Sequence, residues 1–420
     1  MPMRCPGLAE LPPPPAGKTG WPWTAETPAL PATAPDGGVW PVLSVVTPSF
    51  NQASYLEETI RSVLLQGYPA LEYVVIDGAS RDGSADLIRK YEPWLAYWVS
   101  EADCGQSHAI NRGFERTGGE LLAWLNSDDV YEPQALARAA AFRRGHPQVH
   151  LLYGAAREID AQGRQIRVHE PEEFDLAYLV MNSYIAQDAA FFSRAAWTAA
   201  GPLNESLHYA LDYDLWLRMA ARFAVSRIPE LLSRRRMAAG TKTVEHPEAF
   251  WPEVIDSVTR FYDLPNLPAR VLDVRAQALG LHCRRAAAHY MRAGRIAAGR
   301  DYLAMALQLT PGLLQQPEEF ARVIVNQGRT PELAEINPYV NRIFDNLPPL
   351  ASCFLPLRNV VRRRIIVLSL AQFHPGSGRT WLLRNLPGLL RDHAWTRQPR
   401  VMRILVRLLA PAAHAAVDGD

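Results

Sequence analysis

The sequence predicts an α/β fold, a mostly parallel sheet flanked by helices, with an α-helical C-terminal region. Three observations carry that expectation. Short runs rich in Val, Ile and Leu alternate with amphipathic helical stretches between Val42 and Ala155. One apolar run, Leu121–Leu125, passes directly into Asn126-Ser127-Asp128-Asp129, so acid stands at the end of a buried strand. Beyond residue 255 the pattern is helical throughout.

Residues 1–41 contain eleven prolines, including Pro12 to Pro15. Missing backbone donors and forced extension make this a leader, flexible or draped over the domain behind it, with Trp21 and Trp23 able to pack there. The domain itself is expected over 42–250. Val42–Thr47 reads as a buried strand stopped by Pro48. Ser54-Tyr55-Leu56-Glu57 reads as a capping box with Ser54 as N-cap, and Leu56, Ile60, Val63 and Leu64 follow at helical spacing. Gly67-Tyr68-Pro69 ends that helix. Leu71–Ile76 is the second strand, with Asp77-Gly78 at its exit. Helices are expected over Ala85–Tyr91 and from Ser107, then the strand Leu121–Leu125, a helix with Pro133 in its first turn, and a strand over Val149–Ala155. Alternation at these lengths implies right-handed crossovers. From 157 to 240 the texture is irregular: a hairpin turn at Ala161-Gln162-Gly163, a short strand at Ala189–Phe192, and a helix carrying Asp212, Leu215, Trp216 and Met219 on one spacing. Residues 251–340 form a helical subdomain. Ala286, Tyr290, Gly294 and Ala298, with Ala304, Leu307 and Pro311, fit one tetratricopeptide-type hairpin, although a plain helical subdomain explains a single copy as well. Residues 341–420 form a basic amphipathic helical tail.

Composition narrows the function. The net charge of +1 argues against wholesale nucleic-acid binding. It hides an asymmetry, because residues 358–407 hold eleven Arg and one acid, Asp392, leaving the remainder at −9. That tail suits either an anionic membrane surface or pairing with acids elsewhere in the chain. The four cysteines, Cys5, Cys104, Cys283 and Cys353, have no paired spacing, so neither a disulfide framework nor a zinc site is expected. No secretory signal pattern and no apolar run of about 18 residues occurs. The expected location is the cytoplasm, with peripheral contact to the inner face of the membrane through 358–407.

The chemistry concentrates at three strand exits: Thr47-Pro48-Ser49-Phe50-Asn51, Asp77-Gly78-Ala79-Ser80-Arg81-Asp82-Gly83-Ser84, and Asn126-Ser127-Asp128-Asp129. If the strands are parallel, these loops meet on one face. Phe50 is then placed to line a base pocket, Asp77 to accept from a base N–H or ribose hydroxyl, and Asp128 to reach a divalent metal on a diphosphate. Each exit alone is an ordinary polar turn; three together point to a ligand.

These segments, together with Gly105-Gln106-Ser107-His108-Ala109-Ile110-Asn111-Arg112-Gly113 and Asp212-Tyr213-Asp214-Leu215-Trp216-Leu217-Arg218, resemble family-2 glycosyltransferases of the GT-A (Rossmann-like) fold across residues 42–240. The resemblance implies transfer of a sugar from a nucleoside diphosphate sugar to a glycan or lipid-linked acceptor in cell-surface polysaccharide synthesis. It implies inversion and dependence on a divalent metal, Mn²⁺ or Mg²⁺. Thr47, Pro48, Phe50, Asn51, Asp77, Gln106, Asn111, Asn126 and Asp128 would face the donor. Asp128 stands at the family's metal-binding aspartate, and Asn126 replaces that motif's first acid. Asp212 stands at the catalytic base, with Leu211 where a Glu is usual. Arg234–Lys242 matches a segment that folds over the diphosphate, so Arg236 and Lys242 would clamp phosphates, while Ala238 takes a His position. Asp214 is the rival base; on a helix it points about 200° from Asp212, so the two cannot serve one substrate. Gln187 and Asp188, in the irregular region, are candidates for the acceptor.

Two alternatives stay open. A sugar-nucleotide nucleotidyltransferase would carry a Gly-rich loop with Arg and Lys after the first strand, which Thr47–Asn51 lacks. A catalytically decayed glycan-binding or scaffold protein would explain Asn126, Leu211 and Ala238.

Overall fold

The computed structural model describes residues 3–238 and 247–312, with Val361. Lys242, the tail segment 358–407 and the later part of the 251–340 subdomain therefore lie outside the described residues. The chain divides into two compact units, Met1–Ala278 and Leu279–Asp420. The first unit extends beyond the 42–250 span expected from sequence texture, because the leader and the helix after residue 246 both pack on the sheet domain.

In the first unit a nine-stranded sheet is built around β1 (Leu43–Ser49) and β2 (Leu71–Asp77), both buried along their whole length. β3 (Tyr97–Ser100) pairs with β2 and β4 (Leu121–Trp124) with β1, all parallel, so their C-terminal ends share one edge. The order continues through β8 (Ala190–Ser193), β6 (Val149–Ile159), β9 (Ala224–Arg236) and β5 (Val130–Tyr131); β7 (Gln165–His169) pairs with β6. β8 runs antiparallel to β4 and β6, and β9 is parallel to β6. The mostly parallel, helix-flanked α/β architecture expected from the sequence is present.

The helices follow the crossovers: α1 (Ala53–Leu64), α2 (Ser84–Tyr91), α3 (Gln106–Glu115), α4 (Ala135–Gly145), α5 (Leu176–Met181), α6 (Arg194–Ala200), α7 (Leu211–Ala220), α8 (Pro247–Phe261) and α9 (Ala269–Leu272). α3 lies so close to β1 that a Cβ at Gly113 would stand 2.4 Å from Val46. That contact sets the N-terminus of α3 at the functional sheet edge. α7 is held against the end of β4 by Trp124 and Trp216, both fully buried, with rings stacked at 5.4 Å.

Local details differ from expectation. Ser54 does not cap α1. The helix starts at Ala53, whose N–H donates to Asp82 of the β2 exit, so a loop carboxylate takes the capping role. α7 begins at Leu211 with Ala210 at the cap position, which puts Asp212 in its first turn.

The leader lies along the domain. Met3 forms an antiparallel bridge with Leu71, Trp23 is buried, and the Trp21 indole N–H donates to the Tyr131 carbonyl. Its anchor is Arg61 of α1, fully buried, whose guanidinium donates to the carbonyls of Pro12, Pro22 and Trp23 and lies over the Trp23 ring. These carbonyls cannot find other donors while the leader covers them. Arg61→Met is expected to free residues 3–41 to peel into water, which limits the cost to about 2 kcal/mol. Limited proteolysis within the leader should then precede cleavage elsewhere, which thermal melts and mass mapping would show.

In the second unit, α10 (Arg275–Arg292), which starts just before the boundary, and α11 (Ile296–Leu309) form a helical hairpin. Cys283, Ala286, Ala287, Met291, Leu303 and Ala306 are buried, and Tyr290 stacks on Tyr302.

Candidate active site

The C-terminal edge of β1, β2 and β4 carries the three strand exits. At the β1 exit, Asn51 adopts a left-handed conformation (φ 53°). Its N–H donates to the Ser80 hydroxyl and its Oδ1 accepts from the Arg81 N–H, so it stitches the first exit to the second. The turn leaves Phe50 outside, 63% exposed, with an aromatic face available to a planar ligand.

Asp77 is fully buried. Its carboxylate accepts from the Ser80 N–H at 2.9 Å and from the hydroxyls of Ser80 and Ser100 at 2.5 and 2.6 Å. It shapes the β2 exit, and a base or ribose would reach it only by displacing Ser80.

The Arg235 guanidinium pairs directly with Asp188, and its charge also acts on Asp128, Asp129 and Asp212. Arg235 donates from Nε and one terminal nitrogen to Asp188 Oδ1 at 2.8 and 2.6 Å, while Asp188 Oδ2 accepts from the Ser233 hydroxyl. Asp188 is 1% exposed on its side chain and Arg235 is 31% exposed, so the carboxylate anchors the cation and leaves part of it in the cleft. Burial lowers the Arg235 pKa, but Asp188, Asp129 and Asp212 outweigh that effect and raise it, so the guanidinium stays charged. Burial pushes the Asp128 carboxyl up, and the nearby Asp188 adds to the push, against Arg236 and Arg235. Burial, then Asp128 and Asp188, hold Asp129 well above the ordinary carboxylate range.

Asp212 sits in the first turn of α7, where the helix N-terminus favours an anion. Its Oδ1 accepts from the Tyr213 N–H at 2.8 Å. Burial raises its pKa, with Asp188 adding to that effect and Tyr213 and Arg235 opposing it. A carboxylate shifted upward and half-exposed at a cleft can take a proton from a hydroxyl. Asp214 cannot compete: it is buried and paired with Arg218 at 2.8 Å and Arg260 at 3.3 Å.

The structure places several of the sequence-predicted site residues in internal contacts. The Arg236 guanidinium is taken up by contacts within the protein. It is buried, donates to the carbonyls of Asp128 and Asp160 and to Glu58, and lies over the Tyr55 ring. Period-two alternation along β9 turns Arg235 to the face opposite Arg234 and Arg236. Asn111 is buried and braces residues 203–205 through Leu203 and Glu205. Thr47 and Pro48 lie inside the sheet, Thr47 against the Tyr73 hydroxyl. Gln187 and Asp188 both lie buried. Gln187 is buried and donates to the Trp124 carbonyl, and Asp188 is the floor of the acidic cluster. Asn126 accepts from Gln106 and donates to Gln187 and Asp129, so its oxygen is already committed.

The fit to a divalent metal follows from these contacts. Among the described residues, no three His, Cys, Asp or Glu side chains form a ligand cluster. Asp128 is partly buried, and its carboxylate feels the charges of Arg236 and Arg235. The residues therefore fit an ion held by one carboxylate and shared with ligand oxygens, the usual arrangement for Mg²⁺ on a diphosphate.

Comparison with known proteins agrees with this architecture. Residues 44–197 match the glycosyl transferase family 2 model. The chain is 33% identical over 183 residues to an uncharacterized glycosyltransferase of Mycobacterium tuberculosis, covering 43% of this chain and 69% of that protein. It is 31% identical over 182 residues to a PGL/p-HBAD biosynthesis glycosyltransferase of Mycobacterium bovis, covering 42% and 69%. In fold it is similar to S. aureus TarS 1–349 in complex with UDP-GlcNAc, with a TM-score of 0.52, 17% identity, and coverage of 79% of this chain and 93% of that one. The chain belongs to the family-2 glycosyltransferases, and it is an enzyme of that class.

Proposed function

We propose that the enzyme transfers a sugar with inversion from a nucleoside diphosphate donor to a glycan or lipid-linked acceptor used in cell-surface polysaccharide synthesis. The reading is supported by the charge of the partly exposed Arg235, which acts on both Asp128, from the β4 exit, and Asp212, opening α7. Phe50 would stack on the base, and Arg235 would meet the diphosphate. Asp212 takes the proton of the acceptor hydroxyl as its oxygen bonds to the anomeric carbon. The bond from that carbon to the diphosphate breaks, and the electron pair leaves with the diphosphate. A divalent ion on Asp128 would supply charge stabilisation to the leaving group. No helix among the described residues is long and apolar enough to cross a membrane, and peripheral attachment through 358–407 remains part of the proposal.

The test is a thermal-shift series with UDP, GDP and dTDP, each with and without Mn²⁺. The expected result is stabilisation of about 2.7 kcal/mol at a hundredfold excess over Kd, requiring nucleotide and metal together and lost in Asp128→Ala. Equal shifts without metal, or in the variant, would contradict the role of Asp128. The base works ionised, so turnover should rise with pH through the raised Asp212 pKa, placing the acid limb above the ordinary aspartate range.

A further inference from the structure

The segment preceding Asp212 is tied down by a carboxylate from another helix. Glu253 of α8 accepts from three consecutive backbone N–H groups: His208 at 2.9 Å, Tyr209 at 2.6 Å and Ala210 at 2.9 Å. Ala210 is the cap position of α7 and its side chain offers no acceptor. The N-terminal donors of a helix need partners, and here one anion from outside the helix serves the approach to it. Leu211 leaves the position beside Asp212 without a carboxylate, so this turn depends on Glu253 for one.

We infer that Glu253 is a positioning residue for sugar transfer, fixing residues 208–210 so that the first turn of α7 presents Asp212 to the acceptor hydroxyl. The inference rests on Asp212 being the base. Oε2 accepts from all three N–H groups and Oε1 faces the His208 N–H as well, so both positions of the head need an acceptor. Glutamine would turn an NH₂ toward at least one of them, whereas aspartate keeps the chemistry and loses one methylene of reach.

The experiment compares wild type, E253Q, E253D, D212N and E253Q/D212N. It follows nucleoside diphosphate release from the UDP-, GDP- or dTDP-hexose that wild type hydrolyses fastest, with nucleotide Kd and melting temperature measured in parallel. E253Q should lower kcat by about tenfold with nucleotide Kd unchanged within about twofold, because a displaced base costs rate and not donor binding. E253D should retain more activity than E253Q. In the D212N background, E253Q should cost nothing further, since it acts through the missing carboxylate. The inference is overturned if E253Q keeps wild-type kcat, if kcat and nucleotide affinity fall together with the melting temperature, or if E253Q costs the same factor with and without Asp212. Wild-type activity in D212N would instead remove the base assignment, and the inference with it.

Discussion

Asp212→Asn is expected to slow sugar transfer by at least about a hundredfold, the usual contribution of a positioned general base. The amide cannot accept the acceptor proton, yet it keeps the shape of the side chain and an oxygen for the Tyr213 N–H, which Oδ1 now receives at 2.8 Å. Folding and nucleotide binding should therefore survive. The contrast with Asp214→Asn is informative, because Asp214 is buried and held by Arg218 and Arg260. Its loss should lower stability while leaving turnover per folded molecule near wild type. Nucleotide release assays combined with melting curves separate the two variants.

The second large effect is expected at Asp188. It is 1% exposed and carries two charge-assisted bonds from Arg235 and one from Ser233. Asp188→Ala leaves Arg235 without its anchor inside a cluster of carboxylates. Breaking a buried pair from one side costs about 3 kcal/mol even when the surviving partner keeps some access to water. The released guanidinium no longer points at the diphosphate position, so turnover should fall as well. An acceptor-binding role for Asp188 predicts a different pattern, a raised acceptor KM with an unchanged melting temperature. Urea melts and initial rates on the same preparation distinguish them.

The fold was legible where apolar period and helix spacing agree. β1, α1, β2, α2 and β4 follow directly from Val42–Trp124, since a strand buried on both faces has to be a continuous apolar run. β3 was missed because it is short and only half-buried along its length. β9 is hard to read because Pro229 and three successive arginines look like loop chemistry, whereas each arginine finds its own acid: Glu132, Asp188 and Glu58. The acids of the site could be located from strand exits, but their roles could not. Asp188 is separated from Asp128 by some sixty positions in sequence and meets the cluster through sheet pairing of β8 and β9 with β6. Nor does any local pattern reveal that Glu253 reaches back to residues 208–210.

The central claim is that Asp128, Arg235 and Asp212 border one site for a sugar nucleotide. Its most direct test is a crystal structure with Mn²⁺ and whichever of UDP, GDP or dTDP gives the largest thermal shift. The account predicts the diphosphate in contact with Arg235 and, through the ion, with Asp128, with the base against Phe50 and Asp212 facing the far side of the terminal phosphate. A nucleotide bound away from the ends of β1 and β4, or one whose phosphates reach neither Asp128 nor Arg235, would contradict it.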